Sequence, residues 1–363
     1  MQSYSQNRAK KPPLIQGSVH GRGTHVQPKN RFETTLVERE FDDDSKSPSS
    51  PKTLFYSDPS RSVISHNKNP AVGFEISLNP YRGCEHGCSY CFARPTHEYL
   101  GFSSGLDFES KILTKENAPH LLRKELSSKK WAPRTLVMSG VTDPYQPIER
   151  NLKITRQCLQ ILVEFKNPVS LITKNQLIVR DLDYLSELAN SQAVMVHLSI
   201  TTLNSDLALK LEPRASTPLA RLRAIEVLAK TGVPVGVMMG PIIPGLTDSE
   251  IPSLLESVSS AGAQFANYTI LRLPYSVQEI FQNWLEEHFP ERKKKVLNRL
   301  TDLHRNDLSY QNAFARRNFS GPFAEQIRQS FSLYAKRFQL KRGGPELNTT
   351  DFKRVGDAQL SFF

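Results

Sequence analysis

Beyond residue 70 the chain alternates short apolar runs with longer amphipathic stretches. GFEISLN (73–79), TLVMSG (135–140), VSLITK (169–174), AVMVHLSIT (193–201), VPVGVMMG (233–240) and QFANYTILRL (264–273) are apolar and β-rich and read as six strands. Apolar positions recur at helical spacing around 151–165, 177–190, 217–231, 249–261 and 277–288, so the strands are followed by helical segments. Alternating β and α units predict a parallel sheet covered by helices, and six units fit a partial (β/α)6, TIM-like barrel of the α/β class. Near-continuous apolar strands agree with burial on both faces.

The flanks break this pattern. Residues 1–70 are polar, rich in Gly, Pro and Asn, and lack periodicity, which predicts a largely extended or disordered amino-terminal arm. The acidic run 42–44 and the Ser/Pro stretch 47–51 continue that character. The core is expected over 71–288, followed by a basic helical extension over 289–340 and a tail over 341–363. In the extension, 292–304 and 322–338 read as helices, with Ile327, Phe331 and Tyr334 at helical spacing and Pro322 at a tolerated first-turn position. These helices are placed to cap the open side of the barrel.

Composition narrows the picture further. With 38% hydrophobic residues in 363, there is enough apolar material for one large domain with appendages. The net charge is +11, but it is unevenly spread: +4 over 1–70 (11 basic, 7 acidic), +1 over 71–280 (21 and 20) and +6 over 281–363 (15 and 9). A nearly neutral core with basic flanks leaves solvated helix faces and nucleic-acid contact both open. The amino terminus has no apolar leader core, and the long uncharged stretch 231–247 is punctuated by Gly and Pro, so no membrane partner and a cytoplasmic location are expected.

Three of only four cysteines fall within eight residues, Cys84, Cys88 and Cys91 in NPYRGCEHGCSYCFARP. Thiolates so close together are soft ligands for zinc, copper(I) or an iron–sulfur cluster. Cys158 lies on the apolar stripe Ile154, Cys158, Ile161, Leu162, Phe165 and reads as a small buried hydrophobe. The fourth ligand is therefore open: His86 or His97 would complete a Cys3His zinc site, and the alternative is a four-iron cluster with one iron free of protein.

Ligands of parallel α/β folds collect at the carboxyl ends of the strands. Polar residues gather there in this chain: Ser139, Thr142, Asp143 and Tyr145 after the second strand, Thr173, Lys174 and Asn175 after the third, Thr201 and Thr202 after the fourth, and 241–245 after the fifth.

The C-x3-C-x2-C spacing with aromatic Tyr90 before the last cysteine resembles the cluster loop of the radical S-adenosylmethionine (SAM) superfamily. NPYRGCEHGCSYCFARPTHEYLG, TDPYQPIER, LEPRASTPLARLRAI and PIIPGLTD, in this order, look like a family of uncharacterised bacterial radical SAM proteins grouped with spore-photolyase-like, DNA-repair-photolyase relatives, over roughly 55–340. The resemblance implies a [4Fe-4S] cluster on Cys84, Cys88 and Cys91, with SAM chelating the fourth iron. Reductive cleavage would then give a 5′-deoxyadenosyl radical that abstracts hydrogen from a substrate. It implies an electron donor such as flavodoxin or ferredoxin.

By the same resemblance, Ser139, Thr142 and Asp143 stand where SAM's amino group is received, Tyr90 near adenine, and Ile243 in an adenine-contacting turn. Glu212 and Arg214 stand where the ribose hydroxyls and the carboxylate would be met, and Lys174 and Thr201 complete the rim. GRG (21–23) and NRFE (30–33) also look like family motifs, placing part of the arm across the barrel. Spore photolyases return a hydrogen atom through a cysteine near the end of the second strand, and this chain has Gly140 there, so the lyase activity is not carried over. A Cys3His zinc protein that binds nucleic acid is the alternative function.

Overall fold

The computed structural model describes residues 19, 21–33, 52–67, 73–303 and 319–354. The acidic run 42–44 and the stretch 47–51 lie outside them, as do residue 304 and the end of the tail. In chain order the elements are β1 (Leu54–Ser57), β2 (Ile64–His66), β3 (Ile76–Leu78), β4 (Tyr81–Arg82), α1 (Leu106–Ser110), β5 (Lys111–Thr114), α2 (Ala118–Ser127), β6 (Leu136–Met138), α3 (Glu149–Leu152) and α4 (Ile154–Phe165). They continue with β7 (Val169–Thr173), α5 (Leu182–Asn190), β8 (Val194–Ser199), α6 (Ser205–Leu211), α7 (Pro218–Lys230), β9 (Val235–Ile242), α8 (Ile251–Ser260), β10 (Phe265–Ile270), α9 (Val277–His288), α10 (Pro290–Leu303), α11 (Pro322–Arg337) and β11 (Lys341–Arg342).

The six strands read from the sequence pair in chain order, β3-β6-β7-β8-β9-β10, all parallel. Two short strands extend this sheet: β2 lies antiparallel on β3, and β11 lies parallel on β10. The result is an eight-stranded sheet with β2 and β11 at its two ends; among the described residues it does not close into a barrel. Neither edge strand was legible, because three- and two-residue segments with mostly exposed side chains carry no periodicity.

One face of the sheet makes the main core. Leu136, Met138, Val169, Leu171, Val194, Val196, Leu198, Val235, Val237, Met239 and Ile270 pack in one cluster with Leu162 and Phe165 of α4, Leu185 and Leu188 of α5, Ile225 of α7 and Leu254 of α8. Each such fully buried side chain contributes about 1.5–3 kcal/mol. Cys158 sits in this cluster, wholly buried on α4. The alternate strand positions are more polar than the expected two-sided burial: His197 meets Asn267 across β8 and β10 (3.2 Å), and Ser199 Oγ donates to the Gly240 carbonyl (3.2 Å).

The helix expected over 151–165 is divided. Lys153 is left-handed (φ 55°) and separates α3 from α4. The segment 177–190 likewise starts with a 3₁₀ turn, Gln176–Asp181, capped by Asn175, before α5. No clear apolar period announces helix α2, which packs in the main core, or the small second sheet, β1-β5-β4, whose strand β4 leads into the cysteine loop. Helices α9 and α10 bury Phe281, Trp284, Val296 and Leu300 in a second core that includes Cys88 and Tyr90, so α10 of the extension shares a core with the cysteine loop, while Ile327, Phe331 and Ala335 of α11 join the main core.

Candidate active site

The cysteine loop leaves β4 through Gly83 (φ 78°) and turns again at Gly87 (φ 67°), two left-handed positions that suit glycine. A Cβ on Gly83 would lie 2.9 Å from the Phe108 carbonyl, and one on Gly87 2.5 Å from Glu109 Oε2. The loop is held from outside by Gln146, whose Oε1 accepts the Glu85 N–H (2.9 Å) and whose Nε2 donates to the Gly83 carbonyl (3.3 Å). Glu85 in turn accepts the Ile148 N–H (2.8 Å) and pairs with Arg214 (3.3 Å). The turn between β6 and α3 is thereby fastened to the loop at three points.

Cys84 and Cys88 are buried, Cys91 is half-buried, and none is in a disulfide. Cys84 packs with Ala93 and Phe108, Cys88 with Tyr90, and Cys91 touches both groups. Among the described residues no three His, Cys, Asp or Glu side chains converge closely enough to hold one metal ion. Burial pushes the Cys84 thiol up and the Cys88 thiol up to about 12, so neither is a free thiolate at neutral pH.

The two histidines considered as zinc ligands are placed otherwise. His86 Nδ1 faces Asp143 (3.4 Å) and Nε2 faces Asn175 Nδ2 (3.3 Å). His97 is buried against Phe102 and Phe108.

At the strand ends the structure gathers Tyr90, Lys174, Thr201 and Glu212. Asn204 caps α6, and the end of that helix delivers Glu212 inward. Glu212 Oε1 accepts from Thr201 Oγ1 (2.8 Å) and from the Tyr90 hydroxyl, and Oε2 accepts from Arg221. Arg221 also donates to the carbonyls of Ser199 (2.7 Å) and Ser216 (2.8 Å). Burial alone would raise the Glu212 carboxyl, but Arg221, Lys174 and the Tyr90 hydroxyl outweigh it and hold the group below its ordinary value. Lys174 stands with its ammonium 5.9 Å from the Tyr90 ring centre. Burial works against its charge, yet Cys88 and Glu212 keep it protonated.

The other predicted residues divide by what their polar groups already hold. Asp143 receives Thr173 Oγ1 (2.7 Å), the Lys174 N–H (2.8 Å) and the Tyr145 N–H (2.9 Å). Against the effect of burial, His86 and these bonds draw its carboxyl down to about 2. Thr142 spends its hydroxyl on the Tyr81 carbonyl (2.9 Å). Ile243 is buried beside Cys88 and Tyr90, its N–H donating to Thr247 Oγ1 (2.8 Å) and its carbonyl accepting from the Leu246 and Thr247 amides. Ser139 is half-buried at φ 96°, a strained conformation for a non-glycine residue at a strand end. Arg214 is turned away from this group, toward Glu85 and Thr53.

Sequence reasoning missed Arg221, Gln146, Arg94 and Glu109. Arg221 lay inside LARLRAI, where an arginine on an amphipathic helix reads as solvated; its partner Glu212 was visible, but the pairing across nine residues was not.

A family model described as the Radical SAM superfamily matches residues 78–258, the cysteine loop through α8. An uncharacterised protein of Mycobacterium tuberculosis is 36% identical over 244 residues, covering 66% of this chain and 71% of that protein. The chain belongs to the radical SAM superfamily. A second uncharacterised relative, from Methanocaldococcus jannaschii, is 28% identical over 64% of this chain and 83% of that protein. A Pseudomonas phage protein named Radical SAM Nalpha-GlyT isomerase is 24% identical over 80% of this chain and 59% of its own length. Among solved structures, spore photoproduct lyase complexed with dinucleoside spore photoproduct superposes with a TM-score of 0.54 at 14% identity, over 79% of this chain and 81% of that one. That likeness shows a shared radical SAM fold. No helix among the described residues is long and apolar enough to cross a membrane.

Proposed function

We propose that this radical SAM enzyme holds a [4Fe-4S] cluster on Cys84, Cys88 and Cys91 and binds SAM against Tyr90, Lys174 and the ends of β6 to β9. One observation carries the reading: three free thiols share a loop turned by Gly83 and Gly87, and the half-buried Lys174 ammonium interacts with one of them, Cys88. When bound, the cluster supplies the electron that cleaves SAM reductively to methionine and a 5′-deoxyadenosyl radical for hydrogen abstraction. The protein's own part is to hold, orient and shield. Lys174 is the cation placed to meet SAM's carboxylate, a role the sequence had offered to Arg214. Ser139, at the strained end of β6, is placed for the amino group, while Thr142 and Asp143 shape the turn that presents it. Tyr90 and Ile243 form the apolar wall for adenine, and Glu212, fixed by Arg221, sets the Tyr90 and Thr201 hydroxyls.

The substrate is not a spore photoproduct in this reading. Gly140 occupies the rim, its position packed by Ser77 and Phe74, and Cys158 lies in the core under β6 and β7. A hydrogen-returning thiol therefore has no place at the rim, and the radical acts on another substrate. The basic face of α10, where Lys294 and Lys295 are exposed and Lys295 lies near the Gly245 turn, supports nucleic acid as a partner, tested by retention that falls with salt.

Anaerobic reconstitution tests the function. A brown protein with about four irons per chain that yields 5′-deoxyadenosine on reduction with SAM supports it. Alanine at any one of the three cysteines should abolish that product. A colourless protein with one zinc per chain, or cleavage that survives the Cys88→Ala change, contradicts it.

A further inference from the structure

The motifs GRG (21–23) and NRFE (30–33) have no part in the reaction above, yet the structure lays this segment along the cysteine loop and the stretch 94–109. The Gly23 N–H donates to Glu109 Oε2 (2.9 Å), and Glu109 Oε1 accepts from Arg94 (2.7 Å). Arg94 Nε then donates to the carbonyl of Cys88 (2.9 Å), which also accepts the Cys91 N–H (3.3 Å). Two donors on one carbonyl set the direction of the chain between these two cysteines.

Arg94 and Glu109 are each 0% exposed, so no water replaces a partner that is lost. The approach of the segment is equally tight. A Cβ on Gly23 would lie 1.5 Å from the Gly87 carbonyl oxygen, so only glycine fits. Further along, Gln27 donates to Asp107 (2.9 Å), Asn30 Nδ2 to the carbonyls of Glu98 (2.9 Å) and Phe102 (3.1 Å), and Arg31 pairs with Glu98.

We propose that residues 21–33 are a strap belonging to the cluster site, which fixes the backbone of Cys88 through Glu109 and Arg94 in the orientation that cluster ligation needs. Glu109 and Arg94 are positioning residues; they act through Cys88. The proposal rests on the reading of the three cysteines as cluster ligands, and its test uses the apoprotein as well, so that the two can fail separately.

The test compares full-length wild type with Glu109→Gln and Gly23→Ala. In the apoprotein, the rate at which Ellman's reagent modifies the loop thiols should rise about tenfold in both variants, as expected when a charge-assisted bond is weakened or its donor displaced. Cys158, buried in the core, should stay unreactive and report an intact fold. In the reconstituted protein, iron should pass to a chelator about tenfold faster than from wild type. Wild-type thiol and iron-release rates in both variants overturn the strap. So does collapse of both variants with exposure of Cys158, which would make the segment a general folding element. If the wild type takes up no iron, the cluster reading fails while the thiol rates still decide the strap.

Discussion

The Tyr90 hydroxyl and the Glu212 carboxylate, 122 positions apart in sequence, are hydrogen-bonded inside the protein. This contact ties the cysteine loop to the end of α6. A Tyr90→Phe protein keeps the ring against Lys174 and loses the tie. It should be less stable by about 1.5–3 kcal/mol, the usual worth of a hydrogen bond to a charged group, measured by urea unfolding of the apoprotein. Unchanged stability would mean the contact carries no weight.

Arg221 is the only guanidinium hydrogen-bonded to Glu212 among the described residues, and both are buried. Removing this cation leaves the buried carboxylate with Lys174 and the Tyr90 and Thr201 hydroxyls as its remaining partners. Arg221→Met should therefore cost about 3–5 kcal/mol, and adding Glu212→Gln to it should recover part of that loss. A double variant as unstable as the sum of the singles would show that the two groups are not coupled.

The parallel sheet was legible because six apolar runs separated by amphipathic stretches encode it directly, and all six pair in that order. The cysteine loop was legible because a local spacing signals a metal centre. What surrounds the loop was not, since Gln146, Arg94, Glu109 and Arg221 act through single long-range pairings that leave no period in the sequence. Arg214 illustrates the limit from the other side: its charge and place beside Glu212 suggested a ligand contact, but the chain direction after α6 sends it to Glu85.

In the proposed site Lys174 rather than Arg214 meets SAM's carboxylate, and affinity can separate them. Lys174→Met should weaken SAM binding to the reconstituted protein about ten- to a hundredfold with iron content unchanged, because a charge-assisted bond to the carboxylate is lost. Arg214→Met should bind SAM nearly as wild type does. Isothermal titration under anaerobic conditions reads both, and the reverse ranking would return the carboxylate to Arg214.

His197 gives the fold an acid limit. Burial lowers its pKa to about 4, and Nδ1 has no hydrogen-bond partner. A folded-state pKa below the ordinary 6.5 means that protonation favours the unfolded chain. The stabilisation is complete above about pH 6.5 and is lost as pH falls toward about 4, by up to about 3 kcal/mol. His97, also lowered to about 4 by burial, adds a second contribution of the same sign. Unfolding midpoints between pH 7 and 4 should fall less steeply in His197→Gln than in wild type. Parallel curves would show that His197 does not titrate with folding.

In the proposed site three cysteines of one loop hold a cluster whose fourth iron is left for SAM. Electron paramagnetic resonance of the anaerobically reduced protein, recorded before and after adding SAM, tests it most directly. The expected result is a reduced [4Fe-4S] signal that changes when SAM is added, persists in Cys158→Ala and vanishes in Cys84→Ala, Cys88→Ala and Cys91→Ala. A signal indifferent to SAM, or one abolished by Cys158→Ala with the fold intact, would mean that the protein itself occupies the fourth iron.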